Sequence, residues 1–115
     1  MAQLKKINVV ITSGTSLSAV ADLSDGGMWE VVGIVMPDTW TAANLTFQSA
    51  LDVTYQNVYK EDGTEYTVTA AASRNIGLDP VMFRHAAKLK IRSGTSGSAV
   101  NQTADRTVTL LLRSR

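Results

Sequence analysis

The chain of 115 residues contains no cysteine. That absence excludes disulfides, thiolate metal sites and a cysteine nucleophile. Small domains that fold in oxidising compartments are commonly stapled by disulfides, so assembly in a reducing cytoplasm is expected. Histidine occurs once, at His85, and proline twice, at Pro37 and Pro80. One histidine cannot build a His/Cys metal cluster, and any Ser-His-Asp arrangement would have to be built on it. Aromatic residues are few: Trp29, Trp40, Phe47, Tyr55, Tyr59, Tyr66 and Phe83. The core must therefore rest on Val, Ile, Leu and Ala. No apolar run approaches the roughly 20 residues of a membrane span. Residues 7–11, behind Lys5 and Lys6, are too short for a signal-peptide core.

The chain does have short alternating runs, separated by glycine and serine. Ile7, Val9 and Ile11 share one face, with Lys6 and Asn8 on the other, which predicts a half-buried strand. The same alternation predicts a strand over 17–23, with Leu17, Ala19, Ala21 and Leu23 inward. Residues 29–36 form a dense apolar run that reads as a central strand buried on both sides and stopped by Pro37. Further strands are expected at 45–49, 55–59, 66–70, 88–92 and 107–113, with Asp62-Gly63 as the hairpin signal. Asp79-Pro80 opens a single helical turn. About eight short strands at roughly ten-residue spacing, with no long helix, indicate one all-β domain over residues 1–115. The expected form is an antiparallel, jelly-roll-like β-sandwich.

One phrase is written twice. Residues 11–20 read Ile-Thr-Ser-Gly-Thr-Ser-Leu-Ser-Ala-Val, and residues 91–100 read Ile-Arg-Ser-Gly-Thr-Ser-Gly-Ser-Ala-Val. Both copies follow an alternating run and supply Gly and Ser where a strand must stop. Equivalent turns at two sheet corners are expected. A phosphate loop would need a following Lys and helix, which neither copy has.

Chemistry is sparse. His85 lies between Phe83-Arg84 and Ala86-Ala87 and reads as a surface or packing residue. Asp22 with Asp25, Glu61 with Asp62, and Asp79 stand in turns, where Asp bonds backbone N–H groups. Asp52, Asp62 and Asp79 are the candidates for an oxygen-only calcium site, but turn formation is the favoured role. No catalytic, cofactor-binding or metal-binding residue is assigned, and no enzyme activity is expected.

Charge is more informative. Residues 1–73 carry Lys5, Lys6 and Lys60 against eight acids; residues 74–115 carry eight bases against Asp79 and Asp105. Two halves of opposite sign either neutralise each other within one sandwich or provide complementary faces for subunit contacts. Lys88, Lys90 and Arg92 are expected on one outward strand face. They lack interleaved aromatics, so nucleic acid is a weak candidate partner and a protein contact a better one. The residues assigned to partner contact are Trp40, Arg84, Lys88, Lys90, Arg92, Asp105 and Arg106. Trp29 is assigned to the core, and Trp40 caps the sandwich or meets a partner.

An ordered set of segments resembles a group of small virion proteins of tailed bacteriophages and prophages. The set comprises Trp40-Thr-Ala-Ala-Asn-Leu-Thr-Phe-Gln-Ser49, Thr54-Tyr-Gln-Asn-Val-Tyr59, Glu61-Asp62-Gly63, Ile76-Gly-Leu-Asp-Pro80 with Phe83, Lys88-Leu-Lys-Ile-Arg-Ser-Gly-Thr95, Val100-Asn-Gln102 and Ala104-Asp-Arg106. The layout is also similar to discoidin-type, galactose-binding-like sandwiches, although the loops here are short and built from Gly, Ser, Thr and Asp. The resemblance implies a capsid decoration (cement) protein or the base of a head fibre. Such a protein would sit on the capsid surface after assembly in the host cytoplasm, bound to the major capsid protein and to copies of itself in a homo-oligomer such as a trimer. The alternative it implies is a carbohydrate-binding module of a head or tail fibre used in host attachment. No membrane partner is expected.

Overall fold

The computed structural model describes residues 3–27 and 29–114. Arg115, counted in the basic half, lies outside them. Eight strands form two four-stranded sheets: β1 Leu4–Ile11, β2 Ala21–Asp22, β3 Trp29–Val35, β4 Leu45–Ala50, β5 Gln56–Asn57, β6 Asn75–Gly77, β7 Lys88–Ser93 and β8 Arg106–Ser114. One sheet has the order β1-β8-β3-β6 and the other β2-β7-β4-β5. All pairings are antiparallel. Every connection except that from β4 to β5 passes from one sheet to the other. This interleaving is the jelly-roll arrangement, which places the first and last long strands side by side in one sheet.

Period-two burial explains the layers. Val9 and Ile11 of β1, Val31 and Ile34 of β3, and Val108, Leu110 and Leu112 of β8 point inward. They meet Leu45 and Phe47 of β4 and Leu89 and Ile91 of β7, all buried. Phe47, Tyr66 and Phe83 form a three-ring cluster with centroids 4.9–5.7 Å apart. Phe83 reaches it from a 3-10 helix, Pro80–Phe83, whose first turn is capped by the Asp79 carboxylate accepting from the Val81 N–H.

Several sequence expectations change in detail. The run 17–23 is not one alternating strand. Ser18, rather than Ala19, is buried, because its N–H donates to the Ile91 carbonyl and its Oγ accepts from the Ile91 N–H. Only Ala21–Asp22 pairs regularly. β3 is interior to its sheet but not buried on both sides: Val32 and Val35 are half-buried, and a register shift separates Val31 from Gly33. The hairpin at Asp62-Gly63 closes as expected, but its first arm shortens to β5 and the rest carries isolated bridges at Tyr59–Glu65 and Leu45–Val68 rather than long strands.

Two exposed turns share one device. The Asp22 carboxylate accepts from the hydroxyl and N–H of Ser24, at 2.7 and 2.9 Å. The Asp62 carboxylate does the same with Thr64. These bonds favour the charged form and hold both carboxyls below the ordinary 3.8. A depressed folded-state pKa contributes stability that is present above the unfolded value and lost as pH falls through the folded one. Replacing Asp22 and Asp62 with Asn is therefore expected to flatten the acid limb of a stability–pH profile below about pH 4, measured by urea unfolding. An unchanged acid limb would contradict this account.

Candidate functional site

The two copies of the repeated phrase lie against each other. The Ser18 N–H donates to Ile91, the Ser93 N–H to Ser16, and Leu17 bridges Arg92. The Gln102 backbone joins the first copy, accepting from the Gly14 N–H and donating to the Thr15 carbonyl. Its side chain is fully buried and completely bonded. Oε1 accepts from the Thr41 N–H and Arg106 Nε, while Nε2 donates to the Thr41 carbonyl and Ser93 Oγ. Nearby, the Asp105 carboxylate accepts from the Ser13 N–H. The polar stretch after the second copy is thus a latch inside the molecule.

The expected contact residues are distributed accordingly. Arg106 bonds Gln102 and the Thr41 and Thr103 hydroxyls. The Trp40 indole donates to the Ala43 carbonyl and packs half-buried against the core. Arg84 pairs with Glu30. Lys88 lies opposite Asp22 in the β2–β7 ladder, and Lys90 stands 4.3 Å above the Tyr55 ring.

The expectation that Arg92 points into solvent is corrected. It shares the outer strand face with Lys88 and Lys90, yet it is buried beneath the returning hairpin arm. There its guanidinium bonds Glu65, Asn57 and the Thr46 hydroxyl. The Glu65 carboxylate also accepts from the Ser96 N–H, tying the hairpin to the second copy of the phrase.

One open part of the surface lies around His85. Three adjoining grooves meet at this residue, with volumes of about 600, 480 and 200 Å³. The first is walled by Tyr59, Glu61, Val81 and Met82, the second by Leu51, Asp52 and Val53, and the third by Trp29, Leu51 and Arg84. Leu51, Val53, Tyr59 and Val81 are more than half exposed. Single exposed apolar residues are ordinary, whereas four converging on one concave region are informative.

A histidine acting as general base is oriented by a hydrogen bond to its second nitrogen. Among the described residues no hydrogen bond holds the His85 ring. No group of three or more His, Asp or Glu residues is disposed for a metal ion among them either. Asp62 and Asp79, named as oxygen ligands, are engaged with Thr64 and Val81. None of the exposed apolar residues was expected at a contact surface. The available signal was Leu51-Asp-Val53, two large aliphatics in a connection where no strand alternation requires them.

The strand order and the crossing connections define a jelly-roll β-sandwich. The fold is similar over almost its whole length to the crystal structure of SPBc2 prophage-derived protein YomS. The TM-score is 0.58 at 13% identity, covering 97% of this chain and 96% of that one. At that identity the likeness is one of fold. No family model and no curated protein matches this sequence.

Proposed function

We propose that this chain is a non-enzymatic structural protein of a tailed-phage virion. It decorates or cements the capsid shell through contacts with the major capsid protein and with copies of itself. The observation that carries the reading is the end-to-end likeness of fold to a prophage-derived protein. The segments quoted above as resembling small phage virion proteins support it independently. The open apolar region around His85 supplies a surface suited to protein contact. A shell presents many copies of one site, so contacts that are weak singly add up through effective concentration. Each bound copy favours the intact shell by mass action.

Purified protein added to capsids stripped of accessory proteins is expected to bind saturably at low salt and less tightly as salt rises. Absence of saturable uptake at low salt overturns this reading. A second reading, glycan binding by a head or tail fibre, is favoured by one observation: the half-exposed Tyr59 ring walls a groove with Glu61, Asp62 and His85. Binding on a glycan array without capsid uptake would select it.

A further inference from the structure

The region around His85 has a charge as well as a shape. Glu61 and Asp52 stand at its rim with no hydrogen-bonding or ion-pair partner among the described residues. Of the rim bases, Lys60 is turned toward Asp62 and Arg84 is engaged with Glu30. The unneutralised charge at the mouth is therefore negative, set among Leu51, Val53, Tyr59 and Val81. Its complement is an apolar surface flanked by bases.

The chain carries such a surface. On the outer face of the β1-β8-β3-β6 sheet, Leu4 lies opposite Arg113 and Lys6 opposite Leu111. Leu4 is 75% exposed. The Lys6 and Arg113 side chains are also exposed and have no hydrogen-bonding or ion-pair partner among the described residues; Glu30, opposite Arg113 in the β3–β8 ladder, is engaged with Arg84. None of these four residues walls a groove at His85. The two surfaces thus use separate residues and match in both apolar character and sign.

We infer that the occupant of the His85 region is a second copy of this chain, docked head to tail through Leu4, Lys6, Leu111 and Arg113. A contact between two different patches is heterologous, so it repeats from copy to copy and closes into a ring or extends as an array. Opposite charges set its register and make it salt-sensitive. The inference takes its choice of partner from the assembly reading above.

Sedimentation velocity over a concentration series tests it. The wild type is expected to increase in mass with concentration and to lose that increase in high salt. Leu51→Asp/Val53→Asp breaks one surface, and Leu4→Asp/Lys6→Glu breaks the other. All four positions are exposed, so folding is expected to survive, and circular dichroism verifies it. Each variant alone is expected to stay monomeric. Mixed, they are expected to form a one-to-one dimer, because each retains the surface the other lacks. A wild type that stays monomeric at all concentrations overturns the inference, as does a folded pair that fails to associate on mixing. Capsid uptake is measured separately: a monomeric protein that still binds shells overturns this contact and leaves the virion reading standing.

Discussion

Gly94→Ala is expected to abolish or severely impair folding, whereas Gly14→Ala, the same change at the matching position of the repeated phrase, costs about 1–2 kcal/mol. Both glycines have positive φ, 80° at Gly14 and 91° at Gly94, so both substitutions strain the backbone. The surroundings separate them. A Cβ on Gly14 meets nothing within 4 Å. A Cβ on Gly94 would lie 2.6 Å from the Ser98 carbonyl oxygen and 2.7 Å from the Val100 nitrogen, both backbone atoms of the tight loop that follows. That loop is closed by bonds from the Thr95 and Ser98 N–H groups and from the Val100 N–H to Ser93. Backbone so bonded cannot move aside cheaply, and the Gly94 N–H itself donates to the Asn44 carbonyl. A loss of more than about 3 kcal/mol, or no soluble protein, is expected for Gly94→Ala. Chemical denaturation of the two variants side by side checks this, and equal stabilities would overturn the packing argument.

Arg92→Met is expected to destabilise the protein by about 3–5 kcal/mol, a core-like loss from a residue whose charge suggests the surface. The side chains of Arg92 and Glu65 are only 9% and 13% exposed, and their ion pair is supported by Asn57, Thr46 and Ser96. Removing the guanidinium leaves the Glu65 carboxylate without its counter-charge under the hairpin arm, and desolvation of that unpaired charge dominates the cost. Glu65→Met in the same background is expected to restore part of the loss, because the unpaired carboxylate is gone. A double-mutant cycle by urea unfolding reads the coupling directly. Additive losses would show that the two side chains act independently. Lys90→Met, two residues along the same strand face, is the contrast. Its ammonium stands over Tyr55 in a half-exposed position, so an effect within about 1 kcal/mol is expected.

Much of the sandwich is legible in the residue order because burial in a sheet repeats every two residues. β1, β4, β7 and β8 each alternate apolar and polar side chains, and each has its inner face where that alternation places it. The 3-10 helix after Asp79-Pro80 and the turn at Asp62-Gly63 are equally local, set by a capping carboxylate and by a glycine at positive φ. The segments that read less well are those whose hydrogen bonds go elsewhere. In 17–23 the chain follows Ile91 through Ser18 rather than its own alternation. After Asn57 the hairpin arms bend away to cover Arg92, leaving isolated bridges where longer strands were expected.

The same division holds for the surface. Charge totals along the chain left two outcomes, mutual neutralisation or complementary faces, and three of the arginines concerned find partners inside the molecule. Arg84, Arg92 and Arg106 are engaged with Glu30, Glu65 and Gln102, residues 27 to 54 positions away in two cases and four in the third. The open surface at His85 is assembled from four separate segments, near positions 23–29, 49–56, 59–62 and 81–87. No local pattern links them.

The sequence by itself determined that this chain is all-β and without disulfides, with a core of aliphatic residues and turns at glycines such as Gly14 and Gly63. Alternation and turn chemistry act over a few residues, and those are physical facts of the local chain. It also wrote one phrase twice, which local chemistry makes two similar turns. Only the tertiary structure decided that the copies pair with each other, that one glycine stands in open space and the other against backbone, and that Arg92 is core rather than surface. Those outcomes depend on which distant segments the crossing connections bring together, and pairings across a jelly roll are set by the whole fold.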